Sequence, residues 1–312
     1  MRNMANREML RYLTEPLREV ALHHLHPDED IVTAIYVDHH THLVRERAYW
    51  FTWVRRVHLP ARAFVLTPER AMILDDPTDP VTSTANRKYL VASCLLNDVV
   101  LFESRSHLLD CAVTLVIAAS NGPERITLEY NGVARDHFLA AVAYMRAVID
   151  HQHLPSSTQA DEVYARERAT AKKSWYSVLM GLSMRQEYEI MQGLVAGECI
   201  QEWLTIPALD ESTWWERLGI GAHEQPEALL VRTDRQILLV KETKRIIRGH
   251  DTYGSDTWIM PLKHLHEAKV TSEQENLYLQ IALKHLEVTE VVCLPLPPER
   301  AKQALALVTE AQ

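Results

Sequence analysis

One pattern occurs twice in this chain, and it narrows the folds open to it. Val65-Leu66-Thr67-Pro68-Glu69-Arg70-Ala71-Met72-Ile73-Leu74 and Leu230-Val231-Arg232-Thr233-Asp234-Arg235-Gln236-Ile237-Leu238-Leu239 share an apolar run, a turn in which an acidic residue precedes arginine, and a second apolar run. Two strand-like pairs follow at nearly the same offset: Leu96-Asn97-Asp98-Val99 with Leu262-Lys263-His264-Leu265, and Val113-Thr114-Leu115-Val116-Ile117 with Leu279-Gln280-Ile281-Ala282-Leu283. The repetition predicts a duplicated domain. At 312 residues and 47% hydrophobic content the chain has material for about two ordinary domains, each with its own core.

Apolar residues at Met9, Leu10, Leu13, Leu17, Val20, Ala21 and Leu25 recur near the helical period, and Pro16 suits a first helical turn. Residues 5 to 25 are therefore expected as two short helices or one kinked helix. Strands are expected at 31–37, 63–66, 71–74, 89–96, 99–103, 111–118 and 125–130, with Asn121-Gly122 at a tight hairpin, followed by a helix over 134–149. His153 to Thr158 reads as a linker, leading into a long helical segment that breaks near Gly181 and Ser183 and ends about Leu194. A second strand series is expected at 199–206, 227–231, 236–240, 258–262, 266–270, 277–283 and 288–294, closed by a helix from Pro297 to Val308. The expected class is α+β, with a helical segment at 1–30, one strand-rich domain at 31–152, a linker and helix at 153–196, and a second domain at 197–312.

Seven strands capped by a helix, with Thr67-Pro68-Glu69-Arg70 turning between the second and third and Cys94-Leu95-Leu96-Asn97-Asp98-Val99 ending a strand in a polar turn, resemble the pleckstrin-homology-like superfold, in particular its bacterial and GRAM-type branches. Leu229 to Val240 and Met260 to Leu265 supply the second copy, so the resemblance covers about 31–150 and 198–310. It implies two seven-stranded, antiparallel, partly open barrels in tandem. It also implies two candidate roles, binding of anionic lipid and binding of protein segments.

In lipid-binding members of that superfold the connection between the first two strands supplies the basic headgroup site, so the resemblance points to Arg45, Arg47, Arg55 and Arg56. Here four aromatics interrupt the basic residues. On an extended segment Tyr49, Phe51 and Trp53 lie on one side and Trp50 on the other, a surface suited to packing, an interface or a membrane belt. Three net positive charges in this segment contribute roughly 3 kcal/mol beside an anionic bilayer. A second basic patch, Lys241, Lys244, Arg245, Arg248 and His250, falls near Gly249 and Gly254 and is expected as a hairpin loop, solvated or holding an anion. Trp214-Trp215 sits in the connection matching the first aromatic segment and is expected to share its packing role.

Catalytic signatures are sparse. His23, His24, His26 and Asp28, and Asp38, His39, His40 and His42, are chemically competent for zinc, but their spacing is not that of a closed site. Asp38-His39-His40 also spells the triplet of one phosphoesterase family, whose further aspartate motifs in a parallel α/β domain this strand-rich series lacks. There is no Gly-x-Ser-x-Gly elbow, and Cys94, Cys111, Cys199 and Cys293 all sit in apolar stretches, as small reduced core thiols do. The net charge is −9 and neither half is basic, which disfavours nucleic acid. The expected function is a non-enzymatic cytoplasmic binding module or scaffold for a protein partner, without a cofactor. Peripheral attachment to anionic membrane through 45–56 is the alternative and a metal-dependent hydrolase using the histidine clusters the third. Self-association stays open.

Overall fold

The computed structural model of the chain describes residues 8–27, 29–48, 51–79, 89–107, 110–150, 160, 182–194, 198–208, 227–247, 250–273 and 276–310, with the backbone alone described at 40, 42–48, 51–57, 184–185, 244–247 and 250–253. Its contacts divide it into two compact units, residues 1–97 with 134–161, and 98–133 with 162–312. The class is α+β with antiparallel pairing throughout, and among the described residues every sheet is open.

In the first unit helix α1 (Glu15–His24) follows a short helical turn, with Pro16 in its first turn. It precedes strands β1 (Thr33–Val37), β2 (His40–Ala48), β3 (Phe51–Leu59), β4 (Arg62–Leu66), β5 (Arg70–Asp75) and β6 (Leu90–Leu95). Four strands form a sheet in the order β1-β4-β5-β6, and among the described residues β2 and β3 pair only with each other. β4 and β5 read as continuous apolar runs because both of their faces are buried. One face, Ala63, Val65, Met72 and Leu74, packs with Leu10, Leu13, Leu17, Ala21 and Ile31. From the other, Phe64 meets Phe138 of helix α2 (Arg135–Ile149) with ring centroids 5.7 Å apart.

The second unit contains β7 (Val99–His107), β8 (Asp110–Ala119), β9 (Gly122–Asn131), helix α3 (Met184–Gly193), β10 (Ile200–Ile206), β11 (Ala228–Thr233), β12 (Gln236–Ile247), β13 (His250–Pro261), β14 (Leu265–Glu273), β15 (Asn276–His285), β16 (Val288–Leu296) and helix α4 (Pro298–Thr309). One sheet runs β10-β11-β12-β13-β7-β8-β9 and a second β14-β15-β16. Alternation sorts the residues between the two faces: Leu230, Ile237, Leu239 and Met260 join Leu279, Ile281 and Leu294, with Leu307 and Val308 of α4, in one core. The odd partners Leu229, Val231, Leu238 and Val240 are equally buried. Gly193 closes α3 against them, where an added Cβ would stand 3.2 Å from Leu238. A further tie is Arg125 of β9, which donates to Glu103 of β7 and to buried Glu290 of β16.

The same set of hydrogen bonds recurs in both strand series. In the first, buried Glu29 accepts from the Thr67 hydroxyl at 2.7 Å and from Arg70 at 2.8 and 2.6 Å, while Arg70 also donates to the His24 carbonyl that ends α1. In the second, buried Glu198 accepts from the Thr233 hydroxyl and from Gln236 Nε2 at 2.9 Å, and Gln236 donates to the Gly193 carbonyl that ends α3. Each threonine also accepts the amide three residues on, from Arg70 and from Gln236. The 3-10 turns Leu96–Asp98 and Leu262–His264 hang from the matching carbonyls of Glu69 and Arg235, both at 2.8 Å. From these turns through the three strands that follow, the two series keep one separation, that from Thr67 to Thr233.

That separation corrects the sequence alignment by one residue. Matching the arginines placed Arg70 opposite Arg235, whereas the hydrogen bonds place Arg70 with Gln236 and Glu69 with Arg235. On a strand a one-residue slip exchanges the two faces, so the hydroxyl that bonds the carboxylate sets the register rather than the surface arginine.

Other expectations also change. The connection between the first two strands is itself a hairpin, β2–β3, so the first series holds nine strands rather than seven. The basic segment expected as a loop after 240 is strand: β12 continues to Ile247 and β13 starts at His250. Cys94 and Cys111 are buried, but Cys199 and Cys293 are exposed. Ser183 caps α3 in a reciprocal pair with Gln186, which places the helix start at the expected break; the expected helix before it, over 161–181, lies outside the described residues. Among the described residues no helix is long and apolar enough to cross a membrane.

Candidate functional site

The β2–β3 ribbon redistributes the basic aromatic segment. Its register pairs Leu43 with Arg56, Arg45 with Val54 and Arg47 with Thr52, which assigns Arg45, Arg47 and Arg56 to one face. Val44 pairs with Arg55, Glu46 with Trp53 and Ala48 with Phe51, so the fourth arginine shares the opposite face with both described aromatics and an acidic residue. A single extended segment would have interleaved these groups; the reversal at the tip separates them. Tyr49, Trp50, Trp214 and Trp215 lie outside the described residues.

The second basic patch is split along β12. Lys241 is half-buried, its Nζ 4.9 Å from the centre of the Trp258 ring and its Cα paired with that of Asp256. Burial lowers its pKa, and the charges of Asp256 and of Cys293 work against that shift. Lys241 is thus held within its own sheet. Lys244 and Arg245 continue the strand backbone, and Arg248 lies outside the described residues.

Among the described residues the N-terminal histidines do not converge, and the side chains of His40 and His42 lie outside them. His23 and His24 meet edge to face at the end of α1, and His39 faces Asp38 at 3.1 Å on the surface. Among the described residues no three histidine, cysteine, aspartate or glutamate side chains come together as a metal's ligands would.

A different histidine pair is brought together by the fold. His264, at the end of its 3-10 turn, lies 4.9 Å from the ring of His285, whose Nε2 is 3.8 Å from an oxygen of Asp98. Asp98 and His264 end the matching turns of the two series, so one histidine of β15 meets both. Burial lowers the His264 pKa to about 4, helped by the charges of Lys263 and His285 and opposed by backbone hydrogen bonds at Lys284 and Val99. At neutral pH the ring is therefore uncharged and serves as packing. As pH falls from about 6.5 the unfolded chain takes up a proton that the folded chain refuses until about pH 4, so stability present above 6.5 is lost across this window, by about 3 kcal/mol. His264→Phe, which has no proton to take up, should be less acid-sensitive. In urea titrations at pH 7 and pH 4.5 its stability deficit relative to wild type should shrink by about that amount; parallel pH profiles would show that His264 is not the group responsible.

The edge strand β6 carries an exposure pattern that sequence reading missed. Tyr89, just before it, and Val91 and Leu95 within it are 46%, 46% and 53% exposed, while Cys94 is buried against β5. Among the described residues β6 has a strand neighbour on one side only. An apolar, unpaired edge offers a partner both free backbone groups and side-chain contact. The apolar composition of 89–96 was the available signal, but it reads equally as core.

No protein-family model matches this chain, and no curated protein matches it in sequence.

Proposed function

We propose that the chain is a non-enzymatic, cytosolic binding module made of two tandem pleckstrin-homology-like units, and that β6 receives an extended segment of a protein partner as an added strand. The exposed Tyr89, Val91 and Leu95 on an unpaired edge carry this reading. The tandem architecture is supported by the recurring carboxylate–threonine bonds and by the division of each series into four sheet strands and three further strands, with the ribbon added in the first. Main-chain pairing supplies affinity in this mode and alternate side chains supply selectivity.

A displayed random-peptide library, panned on the wild-type protein and counter-selected on Val91→Lys/Ser93→Lys, tests it. Enriched peptides should alternate β-branched or aromatic residues with polar ones and should protect the amides of 90–95 from hydrogen exchange. Enrichment that ignores the double substitution, or protection elsewhere, would remove the reading.

The register of the ribbon favours a second reading, attachment to anionic membrane. Three of four arginines share a face there, giving about 3 kcal/mol near an anionic bilayer. Sedimentation with phosphatidylserine vesicles should then be strongest at low salt and be lost in Arg45→Glu/Arg47→Glu/Arg56→Glu. No binding at low salt would end it.

A further inference from the structure

Building on the binding role of β6, we propose that its occupant is strand β14 of a second copy of this chain, joined head to tail. The chain already contains this junction once. β13, the last strand of the sheet in the second series, pairs with β7, the strand that follows the 3-10 turn of the first: Asp256 with Arg105, Thr257 with Ser104, Trp258 with Glu103, and Ile259 with Phe102.

β6 is the counterpart of β13. Met72 pairs with Ser93 and Ile73 with Ala92 where Leu238 pairs with Ile259 and Leu239 with Trp258. β14 is the counterpart of β7, and the match includes an irregularity. In β7 and β8, Val99 pairs with Ile117 and the register then shifts so that Leu101 pairs with Val116; in β14 and β15, Leu265 pairs with Leu283 and Glu267 with Ala282 across the same shift. β7 has both of its edges covered, by β13 and β8. Among the described residues β14 pairs only with β15, and β6 only with β5. Among the described residues the chain therefore carries one joined pair and, at the end of one sheet in each series, the two unmatched halves of a second.

Transferring the junction pairs Ser93 with Ala268 and Ala92 with Lys269 of the other copy. These two positions precede the register shift in β6, which falls beyond Ile73. Apolar Val91, exposed in the single chain, then comes beside Val270. Because the two edges differ, the contact is heterologous: each copy retains one free β6 or β14 until a ring closes or a chain of copies grows. Lysine at the edge, the natural guard against such pairing, is absent from β6.

The test uses the full chain carrying Cys199→Ser and Cys293→Ser. Light scattering from about 1 to about 300 µM should show mass rising above that of one chain, and Val91→Lys/Ser93→Lys, which alters two exposed side chains, should restore the single-chain mass. Under mild oxidation, a Ser93→Cys protein mixed with an Ala268→Cys protein should cross-link at least tenfold faster than Ser93→Cys alone. A single-chain mass at every concentration, assembly that survives the lysine substitutions, or faster linking of Ser93→Cys to itself would each overturn the proposal. Library peptides held on β6 by a protein that stays single-chain would leave the binding role standing and this occupant excluded.

Discussion

Gly254→Ala should destabilise the protein by about 3 kcal/mol, the upper range for overpacking a filled interior. A Cβ at Gly254 would overlap the His107 ring, which is buried and fixed by a 2.7 Å hydrogen bond between its Nε2 and the Thr243 hydroxyl. The neighbouring pair, Ser255 with Ser106, belongs to the β13–β7 junction, so the ring has to leave or the two strands have to part. His107→Ala/Gly254→Ala separates these outcomes. If the clash is the cause, the double variant should be at least 1 kcal/mol more stable in urea than the sum of the single effects. Additive losses would show that Gly254 matters for another reason. Gly254 resembles a loop glycine in sequence, and in the structure it makes room for an imidazole from the other series.

Glu29→Ala should cost about 3 kcal/mol at pH 7, because it strands the Arg70 guanidinium and the Thr67 hydroxyl in a mostly buried site. Burial alone would raise the Glu29 pKa. The hydrogen bonds from Arg70, from Thr67 and from the His26 amide, with the Arg70 charge, outweigh it and hold the carboxyl at about 2. The sign follows: this contribution is complete above the unfolded value near 4.5 and is lost as pH falls toward 2. Urea unfolding should therefore show wild type and Glu29→Ala converging in stability below about pH 3. Arg70→Gln reproduces the pairing of Glu198 with Gln236 and should cost less than Arg70→Ala; equal losses would show that the amide does not replace the guanidinium here.

Most strands of both series were legible because alternation and turn chemistry are local, but the β2–β3 hairpin was not. Thr67 and Thr233 sit at turns that the pattern marked correctly. Their carboxylate partners were not legible, since Glu29 and Glu198 lie far upstream and read as ordinary surface acids. The arginines of 45–56 were recognised as a group, but their division between two faces depends on where the ribbon reverses. Lys241 read as an exposed cation, and only the position of the Trp258 ring reveals it as half-buried.

By itself the sequence determined that this chain is α+β and that its strands fall into two series, because both follow from side chains within a few residues of one another. The tertiary structure alone decided the register that matches Arg70 with Gln236, the joining of β13 to β7, and which strand edges stay unpaired. Backbone groups pair across a sheet without regard to distance along the chain, so the exposed edge of β6 becomes visible only once its neighbours are in place.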